Sequence, residues 1–287
     1  MSEIKSISES RDTEVLVSTD WVARHLGRPT PRLVEVDVDT RAYDAGHLPG
    51  AVGFNWETQL QDRVRRDIAG KDAFEALVGG AGITRDDVVV LYGDHNNWFA
   101  AYAFWLFKLY GHEDVRLMDG GRVKWLAEDG RPLTPEVPAR RPARYVASAP
   151  NLALRARIDE VLKAVDRASH NLIDVRSPDE YTGRVIAPPG MSETAQRGGH
   201  IPGARSVPWS SAVNADGTFK SREELSRIYL QGAKVDPARP TIAYCRIGER
   251  SSHTWFVLRY LLGLDDVKNY DGSWTEYGSM VGLPIER

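Results

Sequence analysis

The chain repeats itself, and the repeat limits what it can become. Gly46-His47-Leu48-Pro49-Gly50-Ala51 recurs as Gly199-His200-Ile201-Pro202-Gly203-Ala204, an offset of 153 residues. Upstream of each copy an apolar run ends in acidic residues, Leu33-Val34-Glu35-Val36-Asp37 and Leu172-Ile173-Asp174-Val175. Downstream, Tyr92 meets Tyr244, Gly111 meets Gly263, Asp119-Gly120 meets Asp271-Gly272, and Pro132 meets Pro284, all at an offset of 152. So many turn-forming residues in fixed register indicate a tandem duplication of one domain. A length of 287 residues suits two domains of roughly 150 residues each.

The segment between the copies marks the boundary. Residues 132–150 hold Pro132, Pro135, Pro138, Pro142 and Pro150, with Arg140, Arg141 and Arg144 among them. Such a stretch cannot sustain helix and is expected to run extended as a linker. The expected division is 1–134, a linker over 135–150, and 151–287. Within each half, Val88-Val89-Val90-Leu91-Tyr92 and Thr241-Ile242-Ala243-Tyr244 read as buried parallel strands. Residues 98–110 and 252–263 read as buried helices, and 115–118 and 267–270 as a further strand each. The fold class expected is α/β, two tandem domains, each a mainly parallel sheet flanked by helices.

Charge and hydropathy exclude several classes. A net charge of −3 gives no reason to expect a nucleic-acid partner. No apolar run approaches 18 residues, and the opening MSEIKSISES lacks the apolar core of a signal peptide. A cytoplasmic protein without a membrane span is expected. Cys245 is the one cysteine, so no internal disulfide and no two-cysteine metal site can form.

Cys245 ends a predicted strand and is followed by Arg246-Ile247-Gly248-Glu249-Arg250-Ser251-Ser252, where a helix begins, with Ser251 or Ser252 able to cap it. Ligand sites of open α/β sheets lie at the carboxyl ends of strands. A loop turning tightly into a helix aims successive N–H groups inward as an anion nest. With Arg246 and Arg250 beside it, the thiol is expected to ionise at roughly pH 3.5–7.5. That gain is at most about 2 kcal/mol, so nest and arginines must also stabilise an anionic leaving group. A well-aimed donor of that kind is worth about 2.7–4 kcal/mol in acyl transfer. Cysteine phosphatases place five residues between Cys and Arg. Here four separate Cys245 from Arg250, a smaller cradle that argues against phosphoryl transfer. No second cysteine is present to resolve an oxidised form.

At these residues the chain resembles a two-domain rhodanese, a thiosulfate sulfurtransferase, closest to the actinobacterial members. The resemblance rests on Asp174-Val175-Arg176-Ser177-Pro178, the paired Gly-His-x-Pro-Gly-Ala segments, the loop Cys245 to Ser251, and Asp271-Gly272-Ser273-Trp274 with Glu276-Tyr277. It covers nearly the whole chain. It implies that Cys245 attacks the outer sulfur of thiosulfate, that sulfite leaves, and that cyanide or a cellular thiol takes sulfur from the resulting persulfide. Arg250 would hold the sulfonate by paired bonds, Arg246 would add to the field, and the N–H groups of Ile247, Gly248, Glu249, Arg250 and Ser251 would cradle the sulfur. No general base, cofactor or metal is implied.

The two halves differ where chemistry would occur. Offset 152 places Gly93 opposite Cys245, within Tyr92-Gly93-Asp94-His95-Asn96-Asn97-Trp98, a loop with no thiol or arginine and with an acid inside it. The first half therefore reads as an inactive copy. The second half carries an insertion, 184–198, with Arg184, Arg197, two prolines and Met191. It reads as a flap whose Arg184 meets the substrate anion, or as a plain surface loop. His47 and His200 sit at matched positions, which points to a shared structural role. Two rivals stay open. In a 3-mercaptopyruvate sulfurtransferase the loop resembles Cys-Gly-Ser/Thr-Gly, whereas Arg246 and Ile247 bring no hydroxyl. A persulfide carrier would pass sulfur to a biosynthetic partner.

Overall fold

The computed structural model describes residues 15–188 and 194–287. Two compact units result: one runs to Asn151 and includes Ala215–Thr218, the other takes Leu152–Asn214 and Phe219–Arg287. Among the described residues the strands are β1 (Leu16–Val17), β2 (Arg32–Asp37), β3 (Val52–Asn55), β4 (Gln61–Asp62), β5 (Asp67–Ile68), β6 (Val89–Tyr92) and β7 (Val115–Met118) in the first unit. The second unit has β8 (Asn171–Asp174), β9 (Arg205–Ser206), β10 (Thr241–Tyr244) and β11 (Val267–Tyr270). The first sheet runs β1-β7-β6-β2-β3 and the second β11-β10-β8-β9, with every pairing in both parallel. A short antiparallel pair, β4 and β5, stands apart.

The central strands β6, β8 and β10 are buried at every position. That is the reason their apolar residues run consecutively rather than alternate. The helix Trp98–Leu109 is buried nearly all round. Register matches between the copies: Glu35 pairs with Tyr92, and Asp174 with Tyr244. Leu16 lies beside Leu117 in the first sheet, and an isolated parallel bridge sets Arg155 beside Asn269 in the second.

The repeated hexapeptide has a structural task. His47 stacks on Tyr43 with ring centroids 3.9 Å apart, and His200 on Tyr181 at 3.6 Å. Each histidine Nδ1 lies 2.9 Å from the backbone oxygen of its tyrosine. The tyrosine hydroxyls donate to Ala51 O and Ala204 O. Tyr92 and Tyr244 hydroxyls accept the N–H of Leu48 and Ile201, each at 3.1 Å. His47 and His200 thus tie matching turns to matching short helices, the shared role their positions implied, while Tyr92 and Tyr244 tie the same turns to the strands.

The proline-rich segment 135–150 contains neither helix nor strand and lies on the first unit. Ala143 N–H donates to Gly79 O, Ser148 N–H to Tyr110 O, and buried Tyr145 faces the His112 ring. No helix among the described residues is long and apolar enough to cross a membrane.

Candidate active site

Cys245 follows β10 directly, and the loop turns at Gly248 before the helix Glu249–Phe256. Gly248 has φ +108°, and a Cβ there would lie 2.9 Å from Asp271 Cα, so the turn demands glycine. The expected serine cap is not used. Gly248 is the N-cap, and the hydroxyls of Ser251 and Ser252 donate back to its carbonyl at 3.1 and 2.7 Å. Ser251 also donates to Asn269 Oδ1 at 2.6 Å.

The sulfur sits inside this turn. Gly248 N–H donates to Cys245 Sγ at 3.1 Å, and the Ser251 hydroxyl lies 3.7 Å away. Cys245 N–H donates to Ser273 Oγ at 3.1 Å, and Ser273 holds φ +53° while donating to Tyr270 O. These bonds fix the cysteine backbone from the neighbouring strand end. An anion nest at the carboxyl edge of a parallel sheet is therefore present, with Gly248 as its aimed donor.

The electrostatics depart from expectation in three ways. First, Cys245 is 0 % exposed and its Sγ lies 3.4 Å from Glu249 Oε2. Burial and the Glu249 charge push the thiol up; Arg250 and the Gly248 and Ser251 N–H groups oppose this and lose. The direction is upward, opposite to the lowered ionisation that the loop's arginines suggested. Second, Arg250 is held by paired bonds, but to Glu180, at 2.9 and 3.1 Å. Its Nε lies 3.5 Å from Glu249 Oε1. Its charge acts on the sulfur through space, and its paired face is already occupied. Burial raises Glu180, yet the bond and charge of Arg250 win and hold it below the usual carboxylate range. Third, Arg184 is 69 % exposed in its side chain and pairs with Asp179, outside the set bonded around Sγ.

Arg246 and Ile247 are buried within the loop. Arg197 donates to the carbonyls of Gly278, Leu283, Tyr277 and Met280, so it staples the insertion to the chain end. Met191 lies outside the described residues, and with it the middle of the expected flap. Glu180, the role of Ser273 and the side chain of Glu249 escaped the sequence reading. A signal for Glu180 was available, because Ser177 and Glu180 form a capping box around Pro178. Among the described residues no group of three or more His, Cys, Asp or Glu side chains could hold a metal ion.

The matching loop of the first unit is built differently. Gly93 stands where Cys245 does, and a Cβ there would lie 2.3 Å from Val36 O. Beyond Asp94, His95, Asn96 and Asn97 all have positive φ, and Asn97 accepts the Gly93 N–H at 3.0 Å. No nest faces a sulfur here.

Comparison with known proteins places this architecture. The Rhodanese-like domain family matches residues 18–128 and 157–280. The chain is 59% identical over 274 residues to "Putative thiosulfate sulfurtransferase" of Saccharopolyspora erythraea, covering 95% of this chain and 96% of that one. It is 52% identical over 278 residues to "Sulfur carrier protein TtuD" of Thermus thermophilus, covering 96% and 97%. Among solved structures, SseA from Escherichia coli, described under 3-mercaptopyruvate sulfotransferases, superposes with a TM-score of 0.76 at 27% identity, covering 91% of this chain and 99% of that one.

Proposed function

The chain belongs to the rhodanese family, and from that premise we propose that it is a sulfurtransferase taking the outer sulfur of thiosulfate onto Cys245 and passing it to cyanide or a thiol. The observation that carries this reading is the Gly248 N–H aimed at Cys245 Sγ from 3.1 Å, at the mouth of a helix. Sγ attacks the outer sulfur, the sulfur–sulfur bond of thiosulfate breaks, and sulfite departs with its electron pair. The terminal sulfur of the persulfide then carries the negative charge, and the N–H groups of the turn are the donors that stabilise it. Arg250 supplies positive potential to the same place, anchored by Glu180 so that its charge does not move between steps. The first unit contributes no nucleophile.

The choice of donor follows from the loop's residues. Arg246 and Ile247 bring no hydroxyl to the place where the mercaptopyruvate type has one, which supports thiosulfate. The name of the Thermus relative supports a second reading, a persulfide carrier that delivers sulfur to a protein partner.

Intact mass after thiosulfate treatment tests the reading directly. A gain of one sulfur, about 32 Da, is expected on native protein and none on Cys245→Ser. Steady release of sulfite with thiosulfate and cyanide is expected as well. A rate unchanged in Cys245→Ser would overturn both readings. Clear preference for 3-mercaptopyruvate at equal concentration would replace the donor, and sulfur uptake without turnover would favour the carrier.

A further inference from the structure

The transfer as drawn leaves one charged side chain without a task. Glu249 opens its helix, is 3 % exposed, and divides its two oxygens between Cys245 Sγ and Arg250 Nε. The charged groups around this pair are few. Arg250 comes from the same helix, Glu180 from the short helix Pro178–Tyr181 behind it, Arg246 from the loop, and Asp271 from the end of β11 beside Gly248. Arg155 neutralises Asp271 with bonds of 2.8 Å, and Glu180 takes both terminal nitrogens of Arg250. An ionised Cys245 would therefore lie 3.4 Å from a second anion in a buried site, beside an Arg250 guanidinium already bound to Glu180 and close to Glu249.

A dianion such as thiosulfate cannot profit from that arrangement. The thiol must lose its proton as its sulfur attacks, and the Glu249 oxygen stands within hydrogen-bond reach of Sγ, at 3.4 Å. We propose that Glu249 is the base that takes the Cys245 proton during attack on the sulfur donor. The inference rests on the sulfur-transfer reading above. In the step, the S–H bond breaks and its proton passes to Oε2, while the freed electron pair of Sγ forms the bond to the outer sulfur. The sulfur–sulfur bond of the donor breaks, and its pair leaves with sulfite. Charge is conserved, with a carboxylate and a thiol becoming a carboxylic acid and a persulfide anion. When the acceptor removes the terminal sulfur, Cys245 departs as thiolate and recovers its proton from Glu249. No oxidant or reductant enters. Neutralising Glu249 also removes a negative charge from beside the persulfide while that charge exists.

A spectator carboxylate would behave differently, and two measurements on Glu249→Gln separate the roles. One is the pH midpoint of Cys245 alkylation by iodoacetamide, with Cys245→Ser as blank. The other is the single-turnover rate of persulfide formation from thiosulfate, read by intact mass. Loss of the carboxylate is expected to lower the alkylation midpoint and yet slow persulfide formation by about 10²-fold, in the range of general base catalysis. Glu249→Asp is expected to restore part of the rate, and it carries the test if the glutamine variant does not fold. A lower midpoint with persulfide formation as fast as native, or faster, would overturn the proposal, since Glu249 would then merely repel the thiolate. Unchanged values in both measurements would overturn it too. Native protein that gains sulfur from neither thiosulfate nor 3-mercaptopyruvate would instead remove the transfer reading itself, a result seen without any variant.

Discussion

Arg250 and Glu180 form a buried, two-pronged ion pair, with guanidinium nitrogens 2.9 and 3.1 Å from the two carboxylate oxygens. Both side chains are almost wholly shielded from solvent. One ends the four-residue loop after Cys245, and the other belongs to the helix that follows β8. The pair therefore joins the sulfur-bearing turn to the neighbouring strand end. The guanidinium expected to face the substrate meets Glu180 here.

Breaking such a pair from one side leaves an uncompensated buried charge, typically at a cost of about 3–5 kcal/mol. Glu180→Ala is expected to destabilise the second unit by that order, read as a lowered urea midpoint, and to slow sulfite release. Glu180→Met combined with Arg250→Met is expected to recover most of the stability, because no lone charge remains, but not the activity. Equal stability of Glu180→Ala and native protein in urea titration would show that the pair does not hold the loop.

Gly248 supports a second prediction. Its φ of +108° and the 2.9 Å approach of any Cβ to Asp271 Cα leave no room for alanine without moving the turn. Strain of this kind costs about 1–3 kcal/mol. The same shift would carry the N–H away from Sγ, which it now meets at 3.1 Å. Gly248→Ala is expected to fold with a lowered melting temperature and to form persulfide at least about tenfold more slowly, the effect of weakening one aimed donor. Native rates in that variant would place the important donor elsewhere.

The loop of the first unit has no thiol, and its backbone leaves little room for one. A side chain at Gly93 would meet the carbonyl of Val36 at 2.3 Å, and a carbonyl on a sheet strand cannot step aside. Gly93→Cys in a Cys245→Ser background is expected to gain no sulfur from thiosulfate and to lose stability. A mass gain of one sulfur on that double variant would show the first loop to be a competent cradle.

The duplication made much of this fold legible. Fixed offsets carried the strand positions, the matched turns of His47 and His200, and the placing of Gly93 opposite Cys245. Charge pairing was the part that position alone could not show. In each unit a buried carboxylate on the sheet is neutralised by an arginine that also donates to the glycine before the repeat histidine. In the first unit Arg122 serves Glu35 and Gly46 O, at 2.7 and 2.5 Å. In the second Arg176 serves Asp174 and Gly199 O, at 2.6 and 2.7 Å. These arginines come from unrelated places in the two repeats, so register matching sets Arg122 opposite Trp274, over whose ring Arg176 lies at 4.7 Å. The thiol's state was hidden for the same reason. Two arginines beside a cysteine suggest a thiolate, but whether an arginine already has a carboxylate partner is a fact of three dimensions.

That exchange of arginines leaves Asp37 exposed to its own neighbours in a testable way. Asp37 ends β2 beside Glu35 and accepts the Asp94 N–H at 2.6 Å, while Arg122 is committed to Glu35. Burial, then the Glu35 and Asp94 charges, push its carboxyl up to about 8, against the opposing bond from Asp94. A carboxyl whose folded value lies above its unfolded one binds its proton more tightly in the native state. Its contribution is complete below the unfolded value near 4 and is lost as pH rises toward about 8. The native first unit is thus expected to lose stability across that window. Asp37→Asn keeps the acceptor for the Asp94 N–H and carries no titrating group, so its melting temperature should be flatter over the same range. The gain of the variant over native protein is expected to be larger near pH 8 than near pH 5, at about 2–4 °C for each kcal/mol involved. Parallel curves for the two proteins by calorimetry would mean that Asp37 is ionised throughout, with its charge balanced by Arg122 after all.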